Sequence, residues 1–319
     1  MAGAIAGTAI LKTDGKCDTL NTISLTINNV CNLHCGHCYL QYMSEEAHIT
    51  DRVVNLVLSN DFRHLVIVGK EPLVNETSIE ILCSITKKCV ERNITVSFIT
   101  NGLNLSRIPA DIVPLFDYID VSFDGGMESY KQYRKGNIFE IMNGIEYCLR
   151  NGLREVNALH TICDKTIDNV SECIRLKDNI PFKTILFTPY IVTDNQGYNE
   201  VFPLSLIDII KRLDSNDDFI NAHEASLLID NYHIEQDGLN DNQLNCVLMS
   251  VRNQKKYLVY KDDPVFYGII RVTYDGYILS PRQSLNTRLY RMAPQINANS
   301  NLNDLLMEMA LYESMAHGN

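Results

Sequence analysis

The sequence predicts an α/β fold built on a parallel sheet of six strands. Short apolar segments alternate with amphipathic helical segments between residues 22 and 187. Polar or turn-forming residues follow several of the apolar segments, as in Thr100-Asn101-Gly102 and Asp124-Gly125-Gly126. Strands that alternate with helices are typical of a parallel sheet with right-handed crossovers. Such sheets bind ligands at the carboxyl ends of their strands, where these polar residues are expected to meet.

The six predicted strands are short enough and apolar enough to be buried. They lie at about residues 22–27, 64–68, 94–99, 118–123, 156–162 and 184–187. Helices are predicted at about 51–57, 77–92, 108–115, 138–150 and 167–176. Thr50 or Asp51 can cap the first of these helices, and Asn151-Gly152 is a normal helix end.

The alternation of strands and helices ends near residue 195. Helices are predicted at 203–213, 218–229 and 302–315, strands at 257–260 and 268–273, and a hairpin at 272–279 around Asp275-Gly276. We therefore expect an N-terminal segment at 1–21, a six-stranded domain at 22–195 and a small α+β lobe at 196–319.

Composition excludes several classes of function. The chain has 319 residues, 45% of them hydrophobic, which is ample for a core. Its formal charge of −11 argues against binding of nucleic acid, which requires clustered Lys and Arg. No apolar stretch is long enough to span a membrane, and the first twelve residues lack the basic start of a signal peptide. The ten cysteines are therefore expected to be reduced thiols, and the sequence predicts a cytoplasmic protein.

Three cysteines, Cys31, Cys35 and Cys38, directly follow the first predicted strand. Thiolates are soft ligands that select zinc, copper(I) or an iron–sulfur cluster. A structural zinc site needs four ligands, and no fourth cysteine lies close in the sequence. A four-iron cluster held by three cysteines would leave one iron open to another ligand.

The spacing Cys-x3-Cys-x2-Cys after a strand resembles the signature of the radical SAM superfamily. The resemblance implies a partial, TIM-like (β/α)6 barrel, one [4Fe-4S] cluster and S-adenosylmethionine (SAM) bound to the open iron. It also implies reductive cleavage of SAM to a 5′-deoxyadenosyl radical, with an electron donor of the flavodoxin or ferredoxin type. Two alternatives stay open, namely three ordinary reduced thiols and a zinc site completed by His34 or His37.

Other residues match the same family by position. Gly69-Lys70-Glu71-Pro72 resembles the family's Gly-Gly-Glu-Pro motif, with Lys70 in place of the second glycine. There the backbone and the glutamate, here Gly69 and Glu71, bind the amino group of SAM, and a carboxylate suits an ammonium. The remaining cofactor-binding residues that the resemblance implies are Thr100, Asn101, Ser122 and Arg134 along SAM, His37 near its adenine, and Tyr39.

Substrate contacts are predicted from the last strands of the six-stranded domain. The candidate catalytic residues are Cys163, His160 and Tyr190, and Asp124 and Arg282 are further candidates for contact. Cys163 could donate a hydrogen atom in an epimerisation, although a packed core thiol is the alternative.

The C-terminal segment resembles a SPASM or twitch domain that has lost its auxiliary cluster. The matching residues are Cys246 and Tyr274 to Pro281, but Arg282 stands where a cysteine is expected and no cysteine follows Cys246. We therefore expect a single cluster. The branch it resembles contains sulfatase-maturing, peptide-modifying and molybdenum-cofactor enzymes, which implies modification of a short peptide or natural product. The alternatives are a small-molecule (sugar or nucleotide) radical SAM enzyme and a non-catalytic iron–sulfur or zinc protein.

Overall fold

A computed structural model of the chain shows a single sheet of ten strands with helices between its first six strands. The residues that it describes are 22–38, 46–176, 179–190, 201–204, 208–209, 212, 244–251, 254–261, 269–279 and 294–305. Among the helices in these ranges, none combines the length and the apolar character that crossing a membrane requires.

Six parallel strands form the centre of the sheet in their order along the chain. They are β1 (Thr22–Thr26), β2 (His64–Val68), β3 (Thr95–Thr100), β4 (Tyr118–Ser122), β5 (Val156–Ile162) and β6 (Thr184–Pro189). Each pairs in parallel with the next, as Ile23 with Leu65 and Asp120 with Asn157. This confirms the predicted α/β class.

Four further strands extend the same sheet at both sides. They are β7 (Leu244–Val251), β8 (Gln254–Lys261), β9 (Ile269–Val272) and β10 (Ile278–Leu279). β7 pairs antiparallel with β6, and β8 with β7, whereas β9 lies parallel to β1 and antiparallel to β10. The sheet is therefore open, with β8 and β10 at its edges, and the predicted hairpin at 272–279 is confirmed.

Helices cover the sheet where the sequence supplies caps. They are α1 (Asp51–Leu58), α2 (Glu76–Glu91), α3 (Met127–Tyr133), α4 (Ile138–Arg150) and α5 (Val170–Leu176). Thr50 caps α1 and Asn75 caps α2 by accepting from backbone N–H groups of the first turn. The chain leaves α4 through Gly152, whose φ of 93° lies in the left-handed region that glycine tolerates.

Two helical predictions differ from the structure. The helix predicted at 108–115 is replaced by two 3₁₀ turns, Leu105–Arg107 and Val113–Leu115, because Pro109 and Pro114 lack the N–H groups that a continuous helix needs. The short α3 was not predicted from the sequence, and Arg134 is its C-terminal cap residue. The predicted helix at 218–229, and most of those at 203–213 and 302–315, lie outside the described residues, as does segment 1–21.

Strand alternation gives the two faces of the sheet different roles. The side chain of Val121 on β4 lies on the face of the sheet that the helices cover. A Cβ added to Gly102 would lie 2.9 Å from Val121 and 3.0 Å from Ile141 of α4, so these two side chains are close to the same point. Ser122, the next residue, is therefore on the opposite face, which we call the inner face.

Candidate functional site

The three motif cysteines lie in the loop directly after β1. Cys35 is buried, Cys31 and Cys38 are half-buried, and none forms a disulfide. The loop folds tightly, with Cys38 N–H donating to Cys35 O (3.1 Å) and Leu33 N–H to Cys31 Sγ (3.3 Å). Burial, together with the smaller effect of the charges of Glu71, Cys35 and Cys38, raises the pKa of Cys31 to about 11. The three sulfurs are therefore within electrostatic range of one another, and their thiolate forms need a positive centre.

This donor set fits a multi-iron cluster better than a single ion. Over the described ranges, no three His, Cys, Asp or Glu side chains converge where one metal ion could bind. In a [4Fe-4S] cluster each cysteine binds a different iron, so the sulfurs need not meet at one point. His37, a candidate zinc ligand, instead places Nε2 3.4 Å from Asp124 Oδ2.

Glu71 is buried just beyond the end of β2. Its Oε1 accepts from Leu73 N–H (3.0 Å) and from the Thr100 hydroxyl (2.6 Å), and its Oε2 accepts from Asn101 N–H (2.7 Å). Burial raises the pKa of Glu71, and within the described chain no Lys or Arg lies at ion-pair distance from it. A buried carboxylate held only by neutral donors fits a cationic ligand such as an ammonium.

Asn101 joins Glu71 to the cysteine loop. Its backbone N–H binds Glu71, while its side-chain Nδ2 donates to Asn32 Oδ1 (2.8 Å) and lies 4.0 Å from Cys31 Sγ. Thr100 and Asn101, two predicted cofactor-binding residues, thus lie beside Glu71 at the end of β3. Ser122 ends β4 on the inner face and is partly exposed.

Arg134 is buried and reaches toward the cysteines from the end of α3. Its Nε lies 2.6 Å from Asp124 Oδ2, and its Nη1 lies 3.9 Å from Cys35 Sγ. Asp124 also accepts from Thr161 N–H (2.8 Å). The sequence singled out Asp124 only as a substrate contact, whereas the structure makes it the ion-pair partner of Arg134.

Asn28 is a site residue that the sequence reasoning missed. It is fully buried, and its side chain bonds the Lys70-Glu71 backbone and Ser78. Its signal in the sequence is weak: Asn28 is one of two adjacent asparagines between an apolar strand and the first cysteine.

Two of the candidate catalytic residues lie together. Cys163 and Tyr190 are buried in one small cluster with Val201, and Val201 Cγ1 would lie 3.8 Å from a Cβ added to Gly36 in the cysteine loop. Cys163 Sγ lies 3.3 Å from Thr166 Oγ1, and burial raises its pKa. Cys163 is thus near the loop but held as a thiol in an apolar setting.

His160 points to the other side of the sheet. Ser122 pairs with Leu159, so Leu159 shares the inner face and His160 lies on the helix-covered face. There its Nδ1 lies 3.2 Å from Cys173 Sγ of α5. This placement argues against a direct substrate contact by His160. Two other predicted site residues, Tyr39 and Arg282, lie outside the described residues.

Comparisons with known proteins agree with this geometry. Residues 25–176 match the sequence profile of the radical SAM superfamily. A probable GTP 3′,8-cyclase of Methanococcus vannielii is 26% identical over 161 residues, and that of Methanococcus aeolicus is 24% identical over 166 residues. The matched regions cover 48% of this chain, which spans about half the length of these curated relatives (53% and 54%).

Solved structures show the same fold. SuiB of Streptococcus suis bound to its precursor peptide SuiA superposes with a TM-score of 0.59 at 13% identity, over 91% of this chain and 65% of that one. The enzyme anSMEcpe with bound AdoMet and the Cp18Cys peptide gives a TM-score of 0.53 at 18% identity, over 82% of this chain and 74% of that one. The cofactors of the superfamily are a [4Fe-4S] cluster and SAM, which suit the cysteine loop and the buried carboxylate. Residues 25–176 of this chain are therefore a domain of the radical SAM superfamily.

Proposed function

We propose that the protein is a radical SAM enzyme that abstracts hydrogen from an organic substrate in the modification of a peptide or natural product. The observation that carries this proposal is the connection between Glu71 and the cysteine loop through Asn101. It places a buried carboxylate, which has no ion-pair partner among the described residues, beside three thiols that need a positive centre. No single-ion site or structural turn requires both features.

Cys31, Cys35 and Cys38 would hold the [4Fe-4S] cluster. When bound, the cluster and SAM supply a 5′-deoxyadenosyl radical that abstracts hydrogen from an unactivated carbon. Glu71 would bind the amino group of SAM, and hydrogen bonds from Thr100 and Asn101 would hold the Glu71 carboxylate in one orientation. Arg134 would place positive charge next to Cys35 and the carboxylate of SAM, and Ser122 would hydrogen-bond the ribose.

The remaining predicted roles are part of the same proposal. His37 would lie near the adenine, Tyr39 would also contact the cofactor, and the backbone of Gly69 would help to bind the amino group of SAM. Cys163 and Tyr190 would face the substrate, with Cys163 as a candidate hydrogen-atom donor. A flavodoxin or ferredoxin would supply the electron, and the enzyme would act in the cytoplasm with one cluster and no nucleic-acid or membrane partner. Residues 196–319 would form a SPASM- or twitch-like lobe.

Two observations point to different substrates. The structural neighbours include enzymes solved with peptides, which favours a short peptide substrate. The curated relatives are probable GTP 3′,8-cyclases, which favours a small molecule such as a nucleotide as the second candidate.

The proposal is tested by anaerobic reconstitution with iron and sulfide, followed by reduction with dithionite in the presence of SAM. We expect about four irons per chain and formation of 5′-deoxyadenosine, neither of which a variant with all three cysteines changed to alanine would give. A colourless zinc protein would contradict the cluster, and a brown protein that leaves SAM intact would be an electron carrier or sensor.

A further inference from the structure

The side chain of Asn28 makes four hydrogen bonds, three with the backbone of Lys70 and Glu71 and one with Ser78 of α2. Its Nδ2 donates to Glu71 O (2.8 Å) and to Ser78 Oγ (2.9 Å). Its Oδ1 accepts from Lys70 N–H (3.2 Å) and Glu71 N–H (3.4 Å). An asparagine amide has two donor hydrogens and two acceptor lone pairs, so no capacity is left over.

The turn is shaped to receive this side chain. A Cβ added to Gly69 would lie 2.7 Å from Asn28 Oδ1, a distance that real Cβ atoms do not reach. The backbone O of Asn28 also accepts from Lys70 N–H (3.3 Å). Both backbone polar groups of Glu71 are thus fixed by Asn28, through contacts that do not involve the Lys70 side chain.

Asn28 also stands three residues before Cys31, at the start of the cysteine loop. One buried side chain therefore links the loop proposed to hold the cluster with the turn that carries Glu71. Removing it would leave buried N–H and C=O groups of the turn without partners, and the turn would have to move to find new ones.

We propose that Asn28 is a positioning residue for SAM binding, which aims the Glu71 carboxylate at the amino group of SAM. This inference rests on the proposed function of the site. It predicts that loss of Asn28 weakens SAM binding and leaves the cluster in place, since none of the three cysteines contacts the Asn28 side chain through its described hydrogen bonds.

The neighbouring residue supplies a matched control. Asn29 is also buried, but its Oδ1 accepts from Ala47 N–H (2.8 Å), on the return of the chain toward α1. Asn28→Ala and Asn29→Ala remove the same group from adjacent buried positions, and the first removes the four hydrogen bonds to the Glu71 turn and Ser78.

The experiment compares the reconstituted wild type, Asn28→Ala and Asn29→Ala, with iron per chain and the Kd of radiolabelled SAM as readouts. We expect Asn28→Ala to raise the Kd at least about tenfold with unchanged iron, and Asn29→Ala to stay within about twofold of wild type. Wild-type affinity in Asn28→Ala, or equal weakening in both variants, would overturn the inference. A wild type that holds iron but does not bind SAM would instead overturn the proposed function.

A double-mutant cycle separates positioning from general loss of structure. Gly69→Ala should weaken SAM binding in the wild type, because the new Cβ displaces Asn28 Oδ1, and should add little in the Asn28→Ala background, where that space is empty. Additive losses would contradict the proposed contact. If Asn28→Ala does not fold, Ser78→Ala removes one of the four contacts and is expected to raise the Kd about threefold; no change would contradict the inference.

Discussion

The Asp124 carboxylate and the Arg134 guanidinium form an ion pair inside the protein, with Oδ2 2.6 Å from Nε. The side chain of Asp124 is 0% exposed and that of Arg134 is 7% exposed. Burial alone would raise the pKa of Asp124, but the charges of Arg134, His37 and His160 hold it at about 2. The pair connects the end of β4 to the end of α3 beside Cys35.

Removing this pair should make the protein less stable at neutral pH. Asp124→Asn leaves the Arg134 charge buried without its partner, which costs about 3 kcal/mol. The pKa of Asp124 is lower in the folded state than its ordinary value of 3.8, so its stabilising contribution is present above pH 4 and is lost as the pH falls through 2. We therefore expect the difference in unfolding free energy between wild type and variant to be large at pH 7 and to shrink below pH 4.

Urea denaturation of the metal-free protein at several pH values measures this difference without interference from cluster loss. Glu128→Gln, at an exposed position on α3, is the control and should unfold like wild type. A variant at position 124 that matches wild type at pH 7 would show that the ion pair does not contribute.

The contribution of Asp120, which is fully buried on β4, should change with pH in the opposite direction to that of Asp124. Burial raises the pKa of Asp120 to about 7. Its Oδ1 accepts from Asn157 Nδ2 (3.1 Å), while its Oδ2 and Asn157 Oδ1 have no hydrogen-bond partner among the residues that the structure describes. Since the folded pKa is above the ordinary value of 3.8, this group's contribution is fully present below pH 4 and is lost as the pH rises through 7.

Asp120→Asn should therefore stabilise the protein above pH 7, by about 2 kcal/mol, and have little effect at pH 4. The substitution keeps an acceptor for Asn157 Nδ2 and removes a buried charge. Urea denaturation at pH 4 and pH 8 checks this expectation, and Asn157→Asp, which adds a second buried carboxyl, should destabilise at pH 8. A destabilised Asp120→Asn at pH 8 would contradict the role of burial in raising this pKa.

The iron content of alanine variants should distinguish the three proposed cluster ligands from the other cysteines. Alanine at Cys31, Cys35 or Cys38 removes one of the three proposed protein ligands, so we expect reconstituted iron to fall to less than about a tenth of wild type. Cys83→Ala on α2 is the control and should keep its iron. Full iron in any of the three variants would disprove that residue's role as a ligand.

Glu71 should control SAM affinity through its charge. Glu71→Gln keeps the shape and loses the charge that would pair with the amino group of SAM, so we expect the Kd for SAM to rise about tenfold or more with iron unchanged. Glu76→Gln, whose partner Arg107 lies on the surface, should bind SAM as wild type does. Equal affinity in the two variants would exclude Glu71 as the ammonium partner.

Much of the architecture could be predicted because it depends on local patterns. The period of the apolar residues gave the six parallel strands, and Thr50 and Asn151-Gly152 marked helix ends correctly. The role that the resemblance implies for Arg134 stays a prediction. The sequence does not predict α3, because its seven residues of mixed polarity have no clear helical period. The 3₁₀ turns near Pro109 and Pro114 were read as one helix because their apolar spacing outweighed the missing N–H donors.

The sequence by itself determined the chemistry available, since the spacing of Cys31, Cys35 and Cys38 and the Gly-Lys-Glu-Pro turn each lie within a few consecutive residues. Only the tertiary structure decided which side chains lie beside these residues. Asn28 reaches Glu71 across 43 residues, and His160 was turned away from the inner face by a one-residue alternation along β5. Hydrogen bonds and buried charges depend on distances that folding creates, and no local pattern in a chain records them.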